Sequence, residues 1–173
     1  SDLPRRESFR DGMRYTCMDP WKVEAAKKSD AAELSELYKT VWSFYRCVFP
    51  KELMDNRMPS AGDVAASMGS KTYFIARDSG KIVGVARATI EHRSCLLDRM
   101  VVLEEYRGRG VGGALTKAVI DHAREKGAAK VWLDTSPKLA EAMALYESMG
   151  FRECGFFRKH YWGEDIIFYE LIL

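Results

Sequence analysis

Between Ser94 and Asp134 the chain reads as an apolar strand, a glycine-rich turn, an amphipathic helix and a second apolar strand. Ser94 to Leu103 forms the first strand, with Cys-Leu-Leu-Asp-Arg-Met-Val-Val at its centre. Leu115, Val119 and Ala123 mark one face of a helix that stops at Gly127, and Lys130 to Asp134 forms the second strand. A helix between two neighbouring strands requires a parallel pair with a right-handed crossover, since a tight hairpin can only reverse the chain. One segment therefore commits the sheet to a parallel pair.

The flanks predict antiparallel partners for that pair. Strand-like segments over 71–76 and 81–90 are joined by Asp78-Ser79-Gly80, a hairpin signal, and 152–159 with 165–173 reads as a closing strand pair. Trp21 to Ala26 supplies a first strand. Asp30, with Glu33 three residues on, has the pattern of a capping box. Leu34, Leu37, Tyr38, Val41, Trp42 and Tyr45 then recur at helical spacing over 30–46. Two prolines and Asn56 predict a loop over 50–60, and a short helix follows over 61–69. Ser136 as N-cap and Pro137 in the first turn open a last helix that ends at Gly150, with Leu139, Ala142, Met143 and Tyr146 along its buried side. The predicted order is β-α-α-β-β-β-α-β-α-β-β, without internal repeats. Residues 1–20 lack periodicity and predict a loose N-terminal arm; 21–173 is expected to be one domain.

Charge excludes some functions. The 27 Lys and Arg nearly balance the 25 Asp and Glu, a formal charge of +2, so no polyanion-binding surface is indicated and no nucleic-acid partner is expected. Apolar runs are too short to cross a bilayer, and residues 1–14 lack the apolar core of a signal peptide; no membrane partner and a cytoplasmic location are the expectations. Cys17, Cys47, Cys95 and Cys154 are far apart, with no Cys-x-x-Cys and no His at ligand spacing. Reduced thiols, rather than a disulfide framework or a metal site, are expected.

The chemistry concentrates in Tyr106-Arg107-Gly108-Arg109-Gly110-Val111-Gly112-Gly113. Glycines that follow a strand and open a helix let backbone amides close on an anion, and the helix N-terminus adds partial positive charge. Arg107 and Arg109 add full charges. A phosphate or pyrophosphate cradle is the expectation. Gly108-x-Gly110-x-x-Gly113 also fits a dinucleotide fingerprint, with Asp134 about 20 residues on where a ribose-binding acid belongs. Against it, Leu103 to Arg107 separates the strand from the first glycine, and too few strand–helix units remain for that fold.

The same loop, read as Arg107-x-x-Gly110-x-Gly112, resembles the acyl-CoA pyrophosphate loop of the GNAT superfamily of N-acetyltransferases. Leu97-x-Arg99-Met100-x-Val102 is similar to that family's fourth strand. Ala142-x-x-Leu145-Tyr146-x-x-x-Gly150-Phe151 is similar to its helix after the fifth strand, Phe168 to Leu171 to its closing strand, and Val23-x-x-Ala26-x-x-x-Asp30-Ala31 to its opening. The ordered set covers about 21–173. The resemblance implies an α/β fold with a mixed, mostly antiparallel central sheet. Its fourth and fifth strands are parallel and splay into a V, with helices on both faces. It implies acetyl-CoA as cosubstrate, no metal, and direct transfer of the acetyl group to a primary amine on a small molecule or a protein. Dimers occur often in the family, so a homodimer stays open. One departure is visible: where the family often carries an Asn near the start of the helix after the fifth strand, this chain has Leu139.

By the same resemblance, the backbone of Met100, Val101 and Val102 binds pantetheine and offers an amide to the thioester oxygen. Arg107, Gly108, Arg109, Gly110, Val111, Gly112 and Gly113 hold the pyrophosphate. Tyr146 is the general acid for the leaving thiolate, a phenol of ordinary pKa ~10 sufficing. For the general base, Asp134 and Glu91 lead, with Asp98 and His92 behind. Trp42, Phe44, Tyr45, Phe49, Tyr161 and Trp162 are candidates for an aromatic acceptor pocket, with Asp55, Glu164 and Asp165 as attractors for a cationic amine. Two rivals remain: an acyl-CoA-binding regulatory module without turnover, and a dinucleotide-dependent oxidoreductase.

Overall fold

The computed structural model describes residues 21–173; the predicted arm over 1–20, and Cys17 with it, lie outside the described residues. The elements are β1 (Val23–Ala25), α1 (Ala31–Ser43), α2 (Lys51–Arg57), α3 (Ala61–Ser67), β2 (Thr72–Asp78), β3 (Lys81–Glu91), β4 (Ser94–Val102), α4 (Val111–Glu125), β5 (Lys130–Thr135), α5 (Ala140–Ser148), β6 (Arg152–Tyr161) and β7 (Glu164–Ile172). The seven strands form one sheet in the order β1-β2-β3-β4-β5-β7-β6. Only β4 and β5 are parallel; every other pair is antiparallel. The parallel pair comes from the strand–helix–strand segment, as the crossover requires.

That pair opens almost at once. β4 and β5 share register only at Ser94↔Lys130, Cys95↔Val131 and Leu96↔Trp132. Beyond Leu96, β4 keeps its ladder to β3 while β5 keeps its ladder to β7, so the facing edges part into a V. Backbone N–H and C=O groups along those edges are left for another partner.

Helices fix the floor of the V. β3 is buried without a break from Ile82 to Ala86, the pattern of a strand covered on both faces, and both α1 and α4 pack on β3 and β4. Gly84 permits the approach of α4: a Cβ there would stand 2.8 Å from Val111 Cγ1 and 3.1 Å from Leu115 Cδ1. The α1 side chains Leu34, Leu37, Tyr38 and Val41, spaced as read, enter the main core.

Three local expectations fail for physical reasons. The capping box does not form. Asp30 turns instead to the Lys27 amide, 2.8 Å, and to Arg77, 2.6 Å, while Glu33 accepts from the Ile82 amide at 2.7 Å. A half-buried charge partner on β2 outcompetes a helix end already exposed to water. The loop over 50–60 contains α2, whose two buried anchors, Leu53 and Met54, are too few to show a period; Pro50 occupies its N-cap position. The last helix begins at Ala140, not Ser136, because Ser136 Oγ accepts from Lys138 N within a preceding turn.

Candidate active site

The mouth of the V is a cavity of about 960 Å³. Its walls are the end of α1 (Val41, Trp42, with Tyr45 beyond), the Met100–Val102 backbone of β4, the glycine loop, and α5 with its leading turn. Every element meets there because each ends there: β4 runs into the loop, α4 starts from it, and α5 starts after the splayed end of β5.

The glycine loop is shaped as an anion cradle. Gly110, at φ +86°, is the N-cap of α4 and offers no capping side chain. The first intrahelical bond is Ala114 N to Gly110 O. The amides of Val111, Gly112 and Gly113 are the unpaired donors of that helix end, where the dipole favours negative charge. Gly108 and Gly110–Gly113 line the cavity, as does Arg107, whose guanidinium also donates to Tyr45 Oη at 3.2 Å. Arg109 departs from its expected role. It stacks 4.7 Å from the Tyr106 ring centroid and 5.8 Å from that of Trp21, and its carbonyl accepts from Trp21 Nε1. Its side chain braces the loop against Trp21, just ahead of β1, and is not among the cavity-lining residues.

Tyr146 is 6% exposed, its ring edge-on to Phe151. Its hydroxyl has no hydrogen-bond partner among the described residues. Burial, and then the charge of Asp134, raise this phenol well above the ordinary tyrosine value. A phenol of ordinary pKa would have sufficed for the role; this one is the weaker acid and stays protonated throughout the physiological range. Asp134 itself sits on the splayed part of β5 and accepts from Tyr161 Oη at 3.3 Å. Burial pushes its carboxyl above the usual carboxylate range, with Arg57 and Tyr161 pulling the other way. Asp134 therefore lies close enough to raise Tyr146 and has itself gained basicity, while neither residue is among those that line the cavity.

The other base candidates fall away. Glu91 is exposed and pairs with Ser94 at the β3–β4 turn, the far end of β4 from the cavity, roughly 25 Å at ~3.3 Å per residue. His92 lies in the same turn. Asp98 is held by Arg87 of the neighbouring strand β3 through two bonds of 2.7 and 2.6 Å. On the acceptor side, Trp42, Tyr45 and Phe49 form one aromatic cluster, while Phe44 and Trp162 are 63% and 45% exposed and outside it. Asp55 is paired with Lys51, Glu164 with Lys138 at 2.7 Å, and Asp165 accepts from the Lys159 amide. Lys138 also donates to Val48 O, tying the α1–α2 connection to the β6–β7 hairpin across the mouth. Leu139 and Ala142, read as core, pack against the core as partly buried side chains and also line the cavity. An apolar stripe at helical spacing looks the same whether it meets a core or a ligand, and Arg57 and Lys138 carry no local pattern at all, since only the tertiary fold brings them towards the site.

Among the described residues no cysteine is poised for a covalent intermediate. Cys47 and Cys154 are exposed, Cys95 is buried, and burial pushes the Cys95 thiol up to about 11. None of the three lines the cavity. Among the described residues no group of three His, Cys, Asp or Glu is placed to hold a metal ion.

The model of the acetyltransferase (GNAT) family matches residues 34–151, which takes in the cavity walls and both halves of the V. The chain belongs to the GNAT family. Human N-acetyltransferase 8B is 34% identical to it over 96 residues, 52% of this chain and 42% of that protein. The chain thus spans under half the length of that relative. Among solved structures, the ribosomal-protein-S18-alanine N-acetyltransferase of Escherichia coli superposes with a TM-score of 0.72 at 25% identity, covering 88% of this chain and 93% of that one. The PaiA N-acetyltransferase of Thermoplasma acidophilum, solved with coenzyme A, superposes at 0.75 with 16% identity, covering 88% and 99%, and shares the fold. The sheet order and the splayed parallel pair are those of a GNAT fold, and the family is one of acyltransferases.

Proposed function

We propose that this GNAT-family chain transfers the acetyl group of acetyl-CoA directly to a primary amine. The observation that carries the reading is the opening of β4 from β5 beyond Leu96 and Trp132, directly beside the uncapped N-terminus of α4. A strand edge with unpaired amides and a helix end with unpaired amides suit the two halves of CoA: pantetheine, which is an amide chain, and pyrophosphate, which is an anion.

The residues then divide the work. The loop amides and Arg107 hold the pyrophosphate. The Met100–Val102 backbone orders the pantetheine and offers a donor to the carbonyl oxygen as it becomes an oxyanion. Asp134 takes a proton from the incoming ammonium, its raised pKa making it the stronger base. The amine attacks the thioester carbon, the nitrogen gives up its surplus proton as the C–S bond breaks, and the departing thiolate takes up one proton on the Tyr146 side. With its pKa raised, Tyr146 acts first as a hydrogen-bond donor to the developing thiolate. That none of the described cysteines lines the cavity favours direct attack over an acyl-enzyme.

The similar E. coli enzyme is named for an alanine of ribosomal protein S18, so the acceptor panel should include a peptide with an N-terminal alanine beside lysine-like amines, amino acids and amino sugars. Thiol release from acetyl-CoA is the readout. Amine-dependent release with at least one class is expected; CoA binding without release by any class would favour the regulatory reading.

A further inference from the structure

Arg99 combines three unfavourable features. It interrupts β4 at φ +51°, a left-handed conformation that L residues with a Cβ adopt reluctantly. Its guanidinium is partly withdrawn from water, with the cations Arg57 and Arg87 nearby, and burial and those charges hold its pKa below the ordinary arginine value. Its Nε, sealed from solvent, lacks a hydrogen-bond partner among the described residues. A flexible apolar side chain would escape the second and third costs. Strain of this sort persists only where the surroundings over-determine it, and it gathers where geometry serves function.

The surroundings are specific. The hydroxyl of Tyr38, a fully buried α1 residue, donates to the Arg99 carbonyl oxygen at 2.8 Å. Arg99 Nη1 donates to the Asn56 carbonyl at 2.6 Å, and Nη2 to the Asn56 side-chain oxygen at 3.1 Å. Two helices thus grip one residue of β4, one from each side of its backbone and side chain. The grip falls where the β3–β4 register slips between Val85 and Arg87, one residue before the strand backbone that lines the cavity.

We propose that Arg99, gripped by Tyr38 and Asn56, is a positioning residue that sets the kink of β4 and so aims the Met100–Val102 backbone at the acyl thioester. The proposal rests on the acetyl-transfer reading. A bulge rotates the residues after it relative to their ladder. A small turn at Arg99 therefore moves the amide that meets the thioester oxygen, while the glycine loop, fixed by α4, holds the pyrophosphate independently. The clamp acts on transition-state alignment and leaves most cofactor affinity to the loop.

Arg99→Met and Tyr38→Phe test this, each keeping much of the side-chain volume and removing one arm of the grip. Arg99→Met is expected to melt no lower than wild type, because it deletes a desolvated charge. In both variants kcat for thiol release is expected to fall tenfold or more while the dissociation constant for CoA stays within threefold. Wild-type kcat per folded molecule in either variant overturns the proposal, as does CoA binding lost in step with kcat. An Arg99→Met chain that does not fold contradicts the stated cost of Arg99, and Tyr38→Phe then decides by the same split. A wild-type protein that acetylates no amine removes the acetyl-transfer reading and the clamp's role together, whereas an active wild type with unaltered variants removes the clamp alone.

Discussion

Tyr146 and Asp134 sit in the fold at some cost, and that cost separates their chemical role from a packing role. The Tyr146 hydroxyl has no protein hydrogen-bond partner among the described residues, so Tyr146→Phe forfeits no hydrogen bond within the fold. Its melting temperature is expected to equal or exceed wild type, while kcat at saturating acetyl-CoA falls by roughly 10²-fold or more, the scale for losing a positioned proton donor. The loss belongs in kcat because the interaction strengthens only in the transition state. Equal kcat in the Phe variant would make solvent the proton source. Because burial and Asp134 raise the phenol, the wild-type pH–rate profile should show no alkaline limb from Tyr146 at ordinary pH. For Asp134 the sign runs as for any carboxyl raised on folding. The folded state binds the proton more tightly than the unfolded state. Stability is therefore greatest in acid and declines as pH rises from the unfolded carboxylate value through the folded one. Asp134→Asn removes that decline. Melting curves should show the variant more stable than wild type at neutral pH, with the gain vanishing in acid, while kcat/KM drops roughly 10²-fold or more. A variant less stable at neutral pH would mean that Asp134 is held mainly by structural bonds.

Single elements were legible in proportion to their length and to how local their causes are. α4 and the glycine loop announce themselves in a dozen consecutive residues. α2, seven residues with two buried anchors, leaves no period to read. The Asp30–Glu33 box failed because Arg77, far along the chain, claims Asp30, and no local pattern carries that competition. Glu91 and Asp134 are equally plausible strand-end carboxylates in sequence; only the pairing of Glu91 with Ser94 puts the first at the wrong end of the sheet. The loop's glycines carry an element-scale prediction. A methyl group on Gly112 would stand 2.9 Å from Leu145 Cδ2, the tip of a flexible side chain that lines the cavity. Gly112→Ala should therefore move Leu145 towards the cofactor and weaken CoA binding tenfold or more with little change in melting temperature. Gly110→Ala should cost stability as well, roughly 1–2 kcal/mol, because its φ of +86° is left-handed. Calorimetric titration beside a melting curve separates the two; unchanged affinity in a folded Gly112→Ala protein would place the pyrophosphate elsewhere.

At the scale of the whole molecule, the V is a consequence of topology. One parallel pair in an otherwise antiparallel sheet must part where each strand follows its own neighbour, and the parting opens onto the start of α4. A ligand that bridges β4, the loop and α5 should stabilise all three. Acetyl-CoA at 100 times its dissociation constant adds about 2.7 kcal/mol, roughly 5–10 °C for a domain of this size, whereas NAD should add nothing comparable. Stabilisation by NAD and not by CoA would favour the dinucleotide reading of the same glycines. The central claim, direct transfer within this cleft, is tested most directly by following the acetyl group itself. In a rapid-quench single turnover with acetyl-labelled acetyl-CoA and the best amine, label should pass from cofactor to acceptor nitrogen with none bound to protein at any time. Label on the protein ahead of the acceptor, or consumption of acetyl-CoA without labelled amine, would contradict it.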